Sequence, residues 1–120
     1  MKIMIDTTVF LAECLLPEQK YPKVFRKIVA NDRLVFPQAQ LDEIMAIMGK
    51  FFPNECDTVE LFLEKFSFEL AGSDERSEGY PFLGEAKSSG VEQIITLDPD
   101  MEGTEIDGIR FVSVDSYLSE

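Results

Sequence analysis

Two aspartates, Asp6 and Asp98, stand just past short apolar runs, Lys2–Ile5 and residues 93–97, and acids placed there are candidates for chemistry. In open α/β sheets, ligands bind outside the carboxyl ends of the strands, where the strand order reverses. If the two runs are neighbouring strands at that point, the carboxylates come close together. At ~5 Å and an effective dielectric near ~20, two like charges repel by roughly 3 kcal/mol. Such a pair keeps one proton or takes up a cation. Carboxylates without histidine or thiolate favour a hard cation such as Mg²⁺ or Mn²⁺. The chain has no histidine, which removes the commonest general base and the usual nucleophilic triads. Chemistry in this chain therefore runs on carboxylates, hydroxyls, a thiol or a bound metal.

Each candidate also has an ordinary structural role. Asp98-Pro99 reads as a helix N-cap followed by proline in the first turn, worth about 0.5–2 kcal/mol. Asp6 is similarly placed to cap a helix beginning near Thr8. A capping aspartate can still show an oxygen to a metal, so the two roles are compatible. Glu43 and Asp42 lie on opposite borders of an apolar helix face, and periodicity does not choose between them. Either reads as a solvated helix flank. Lys20, Lys23, Arg26 and Lys27 form a basic group that could meet phosphates, although a solvated helix face accounts for it more simply.

The elements that would position these residues follow from periodicity and punctuation. Lys2–Ile5 is a first strand, and residues 9–16 a helix stopped by Pro17. Residues 21–30 form a second helix with Val24, Phe25 and Ile28 on its apolar side. Residues 34–36 are a strand closed by Pro37, which suits the first turn of the next helix. In Gln38–Phe51, Leu41, Ile44, Met45 and Met48 recur at the spacing of a buried helix face. After Pro53-Asn54, residues 57–65 are helical, and residues 66–70 alternate as a half-buried strand. Residues 72–79 read as a polar loop, and 82–89 as a short helix ended by Gly90. A strand at 93–97, a helical turn opened by Asp98-Pro99-Asp100, a strand at 109–112 and a terminal helical turn at 114–118 complete the order. Alternating strands and helices predict an α/β fold with a doubly wound parallel sheet, as a single domain over residues 1–120.

Length and composition agree: 120 residues, 45% hydrophobic and 28% charged, suit one globular domain. No apolar run reaches the ~20 residues of a membrane span. Asp6 and Glu13 interrupt the N-terminal apolar stretch, so a signal peptide is not expected and a cytoplasmic protein is. Cys14 and Cys56 lack CxxC spacing, so neither a disulfide framework nor a zinc site is expected. The formal net charge of −12 argues against tight, sequence-independent binding to nucleic acid. It leaves room for a nuclease whose acids hold cations.

Ile3-Met4-Ile5-Asp6-Thr7-Thr8-Val9-Phe10-Leu11 resembles the opening of PIN-domain proteins. Further matches follow in order: Leu34-Val35-Phe36-Pro37 with Leu41-Asp42-Glu43-Ile44, Pro81-Phe82-Leu83 with Ala86 and Gly90, Ile95-Thr96-Leu97-Asp98-Pro99-Asp100, and Gly108-Ile109-Arg110-Phe111-Val112. No single stretch is specific, but their order and spacing cover nearly the whole chain. The resemblance implies a three-layer α/β/α sandwich with a parallel sheet and a metal-dependent ribonuclease, many of this family being toxins of toxin–antitoxin pairs. It implies Asp6, Glu43 and Asp98 as the catalytic, metal-holding residues for Mg²⁺ or Mn²⁺, and so favours Glu43 over Asp42. RNA, a cognate antitoxin and a second copy of the chain are the implied partners, and no membrane.

Two positions depart from the family pattern. Tyr80, 18 residues before Asp98, stands where another aspartate is usual, and tyrosine is a poor metal ligand near neutral pH. Thr8 replaces the usual asparagine. Glu78 or Glu85 could reach the pocket in place of the missing acid, although a solvated loop explains Glu78 more simply. These departures motivate an alternative, a PIN-like domain that binds RNA or protein without cutting. A phosphoryl-accepting receiver domain fits less well, because the paired acids near the first strand and a late lysine are not evident.

Overall fold

The computed structural model describes residues 1–15, 23–65, 68–72 and 82–119. Six strands form one sheet in the order β3-β2-β1-β4-β6-β5. They are β1 (Lys2–Ile5), β2 (Arg33–Pro37), β3 (Glu69–Ala71), β4 (Val91–Thr96), β5 (Glu105–Ile106) and β6 (Ile109–Ser113). The helices are α1 (Thr7–Leu15), α2 (Lys23–Asn31), α3 (Gln38–Phe51), α4 (Cys56–Lys65), α5 (Leu83–Ser89) and α6 (Val114–Ser119), with a 3₁₀ turn at Pro53–Glu55. All strand pairs are parallel except β5 with β6. The fold is α/β with a mostly parallel sheet, as the alternation of elements predicts.

Period-two alternation gives the sheet two apolar faces. Ile3, Ile5, Leu34, Phe36, Ile95 and Val112 point to one side, where α1, α2, α3, α4 and α6 bury Phe10, Phe25, Ile44, Val59 and Tyr117. Met4, Val35, Ile94 and Phe111 point to the other, against Leu83 and Ala86 of α5. Strands buried on both faces are expected to be nearly continuous apolar runs; β1 and β2 are, while β4 carries Glu92, Gln93 and Thr96 beside Ile94 and Ile95. On the first side Phe10 meets Phe25 and Phe36 edge to face at 5.7 and 5.5 Å, and Phe68 meets Phe36 at 5.2 Å.

Local sequence sets most element ends. Gly90 closes α5 in the left-handed region at φ 77°, its N–H bonded to the last carbonyls of the helix. Pro37 is one place earlier than expected. It is the last residue of β2 and the extended N-cap of α3, at φ −62° and ψ 137°. The first helix begins at Thr7, directly after Asp6, rather than near Val9. The strand expected at 66–70 is observed at Glu69–Ala71, in register with Val35 to Pro37; residues 66 and 67 lie outside the described residues. So do Pro17, Lys20, residues 73–79 of the expected polar loop, Tyr80 and Pro81.

Strand β5 has no counterpart among the sequence expectations. It pairs antiparallel with β6 through Asp107 and Gly108, at φ 53° and 84°. Two successive positive φ values suit the tight hairpin turns favoured by Asp-Gly. Among the described residues, no helix is long and apolar enough to cross a membrane.

Candidate functional site

Strands β1 and β4 are adjacent and parallel, with Ile5 opposite Ile95, and between them the chain order of the sheet reverses. The ladder continues one step past β1, where the Asp6 N–H donates to the Ile95 carbonyl at 2.9 Å. Asp6 therefore lies beside Thr96, at the carboxyl end of both strands. The Asp6 carbonyl accepts the Phe10 N–H at 3.1 Å and so starts α1. Its carboxylate is engaged across the sheet, where the Thr96 hydroxyl donates to Oδ2 and the Leu97 N–H adds a second hydrogen bond.

Thr96 serves both acids. Its hydroxyl donates to Asp6 and accepts the Asp98 N–H at 3.0 Å. Asp98 is exposed and uses Oδ1 as a cap, accepting the Asp100 N–H at 2.9 Å, while its carbonyl takes the N–H groups of Met101 and Glu102. Asp98 thus caps a turn over residues 99–103 rather than the helix expected there, and its carboxylate is near enough to Asp6 to act on it by charge.

Asp6 is half-buried. Desolvation pushes its pKa above the ordinary aspartate value, and the negative charge of Asp98 adds to the rise. The hydrogen bonds from Thr96 and Leu97 pull the other way without cancelling it. Burial and a like charge are the two influences that a nearby cation relieves.

A cleft of about 180 Å³ opens beside Asp6. Its walls come from Met4 to Thr8 at the β1–α1 junction, from Gln40 and Glu43 on α3, and from Phe82 just before α5. Glu43 lines it and Asp42 does not. Asp42 instead accepts a hydrogen bond from Gln38, one turn back, at 3.0 Å. The packing of α3 thus separates two acids that helical periodicity left equivalent. Asp98 lies outside the cleft lining and acts on Asp6 through its charge. Thr8 is exposed on the rim, and Glu85 is buried on α5 without lining the cleft. Glu78 and Tyr80 are outside the described residues.

Among the described residues, no group of three or more His, Cys, Asp or Glu side chains could hold a metal ion. Asp6 and Glu43 share a pocket, and Asp6 and Asp98 are electrostatically coupled, but the three do not converge on one point. Mg²⁺ keeps several of its waters and is commonly held through one or two carboxylates. The oxygens lining this pocket come from two carboxylates, the Thr7 and Thr8 hydroxyls and the Gln40 amide.

Two residues of this region carry more than the sequence reading assigned to them. Thr96 is a buried hydroxyl directly after Ile94 and Ile95 and two residues before an acid, which is the signal that could have singled it out. Gln40 belongs to the buried stripe Gln40, Ile44 and Met48 of α3, and a polar side chain in such a stripe was the corresponding clue. The basic group is divided: Lys27 donates to the Tyr117 carbonyl and lies 4.4 Å from the Tyr117 ring centre, while Lys23 and Arg26 are exposed.

No family model matches the chain, and neither a curated protein nor a solved structure matches it.

Proposed function

We propose that this chain is a PIN-like endoribonuclease dependent on Mg²⁺ or Mn²⁺, with Asp6 and Glu43, which line one cleft, as the acids that hold the cation and Asp98 as the charge beside them. One observation carries the reading. Asp6, at the switch point between β1 and β4, is a desolvated carboxylate facing a second negative charge, beside a cleft that Glu43 also lines. The strand-end location is where open α/β sheets bind ligands.

When bound, the cation supplies Lewis-acid polarisation of the scissile phosphate and an acidified water for in-line attack. The chain's own residues orient and shield that chemistry. Thr96 and the Leu97 N–H fix the Asp6 carboxylate and hold it toward the ionised state. The bond from the Asp100 N–H fixes the Asp98 carboxylate on the turn after β4. Met4, Ile5 and Phe82 contribute apolar wall beside the acids, which lowers the local dielectric and strengthens the pull of the site on a cation. The setting is cytoplasmic, RNA is the substrate, and a cognate antitoxin and a second copy of the chain are the protein partners.

The test is cleavage of a panel of structured and unstructured RNAs by the purified protein in Mn²⁺. Metal-dependent products that disappear in both Asp6→Asn and Asp98→Asn support the proposal. Intact RNA at millimolar Mn²⁺, with folded protein, overturns it. A second reading, an RNA- or protein-binding module without cleavage, is favoured by the lack of a three-acid group among the described residues and by Tyr80. RNA retained in a mobility shift but left uncut selects that reading.

A further inference from the structure

The one Asp-Gly step of the chain, Asp107-Gly108, forms the turn between β5 and β6, and both of its residues are exposed. Asp107 holds φ 53° and Gly108 φ 84°. Among the described residues, no hydrogen bond engages the Gly108 N–H, and glycine has no side chain to shield that nitrogen from the preceding carboxyl. Asp107 Oδ2 meets Lys87 Nζ at 3.2 Å, with both side chains about half exposed. An ion pair in water of this kind is weak and screened by salt, so it does not lock the carboxyl away. Strand β5 has two residues and lies at the edge of the sheet, paired with β6. Elements with few buried contacts and exposed hydrogen bonds open locally at low cost.

We propose that Asp107 is a site of spontaneous isomerisation to isoaspartate, an ageing modification seated in this hairpin. The Gly108 nitrogen attacks Asp107 Cγ: a C–N bond forms, the nitrogen gives up its proton, and the carboxyl hydroxyl leaves with a proton as water. The product is a five-membered succinimide. Water then adds to the main-chain carbonyl of Asp107 and breaks its original bond to the Gly108 nitrogen. The chain now runs through Cγ, and the former main-chain carbonyl is a free carboxylate. Water released in the first step is consumed in the second, so the reaction needs no cofactor, oxidant or enzyme. Ring closure requires rotation about the Asp107 Cα–C bond, which the short edge strand permits by opening. The result is one more methylene in a two-residue turn, whose length sets the pairing of Ile106 with Ile109. Ile106 packs against the second core, so loss of that register loosens β5 and bares the edge of β6.

The test is ageing of the folded full chain in H₂¹⁸O at physiological pH and temperature, read by isoaspartyl methyltransferase labelling and by peptide mapping for ¹⁸O. Isoaspartate and ¹⁸O are expected at residue 107, with the signal lost to background in Asp107→Glu, where closure would need a six-membered ring. Asp107→Asn keeps a residue suited to the turn and is expected to convert faster, with ammonia leaving in place of water. Hydrogen exchange at Ile106 and Ile109 is expected to accelerate in the aged wild type. Wild-type protein without isoaspartate at 107 overturns the proposal, as does equal conversion at Asp115, which precedes a serine. An unconverted asparagine variant overturns it as well, because the turn then bars ring closure. So does conversion confined to the urea-unfolded chain, since the assembled hairpin would then protect the bond. Unchanged exchange in an isomerised sample overturns the loosening of β5.

Discussion

Replacing Thr96 with valine tests the hydrogen-bonded centre of the candidate site. Thr96 is 1% exposed, and valine keeps its shape while removing the hydroxyl that donates to Asp6 and accepts from the Asp98 N–H. A hydrogen bond to an ionised group is worth about 1.5–3 kcal/mol and one between neutral groups about 0.5–1.5 kcal/mol. Asp6 is half-buried and Asp98 exposed, so water recovers part of each loss, and the net cost at pH 7 is about 2 kcal/mol. Unfolding entropy is ~2.1 cal/mol/K per residue, or about 0.25 kcal/mol/K over 120 residues. The melting temperature should therefore fall by about 8 °C.

The cost is also pH-dependent, with a definite sign. The Thr96 bond favours ionised Asp6, so the valine variant has a higher Asp6 pKa in the fold than wild type. Below both values the acid is neutral in both proteins, and only neutral hydrogen bonds are lost, about 1 kcal/mol. Above both, the full difference is present. Calorimetric melts at pH 3 and pH 7 measure this directly. Thr96→Ser keeps the hydroxyl and loses one buried methyl, a pH-independent cost of about 0.8 kcal/mol. Equal costs of Thr96→Val at the two pH values, or a pH-dependent loss in Thr96→Ser, would refute the reasoning.

Asp6→Asn should melt above wild type at pH 7 without metal. The folded chain binds the Asp6 proton more tightly than the unfolded chain, so stability falls as pH rises through the raised pKa. The gap should close toward pH 3, and a variant that melts lower at pH 7 contradicts the burial argument. Phe10→Ala removes a fully buried ring that meets two others edge to face, at a cost of about 3–5 kcal/mol in urea unfolding. Gly108→Ala meets no atom within 4 Å but must hold φ 84°, so its cost is backbone strain of about 1–2 kcal/mol. Gly49→Ala, in the helical span of α3 with equally open space, should instead stabilise by about 0.5–1 kcal/mol. Equal signs for the two glycine variants in thermal melts would contradict the assignment.

Much of the architecture follows from local chemistry. The span Gln38–Phe51 is the helix that its apolar spacing predicts, Lys2–Ile5 is the strand, and Gly90 ends α5 where a left-handed residue is needed. The short strand β5 escaped because two residues carry no periodicity, although Asp107-Gly108 marks its turn. Thr7 joined α1 because the Asp6 carbonyl already accepts the Phe10 N–H, a bond that an apolar pattern does not register.

The candidate site divides in the same way. Punctuation at strand ends is a local property, so the places of Asp6 and Asp98 were readable from residue order. Whether β1 and β4 are neighbours depends on pairing between residues about ninety positions apart, and only the assembled sheet provides it. The same assembly turned Asp6 toward Thr96, separated Glu43 from Asp42, and left Gln40 Oε1 buried without a donor. Hydrogen bonds and desolvation are set by what lies across a gap in space. Residue types state what a side chain can donate, accept or carry as charge; tertiary packing decides which of these capacities meets a partner.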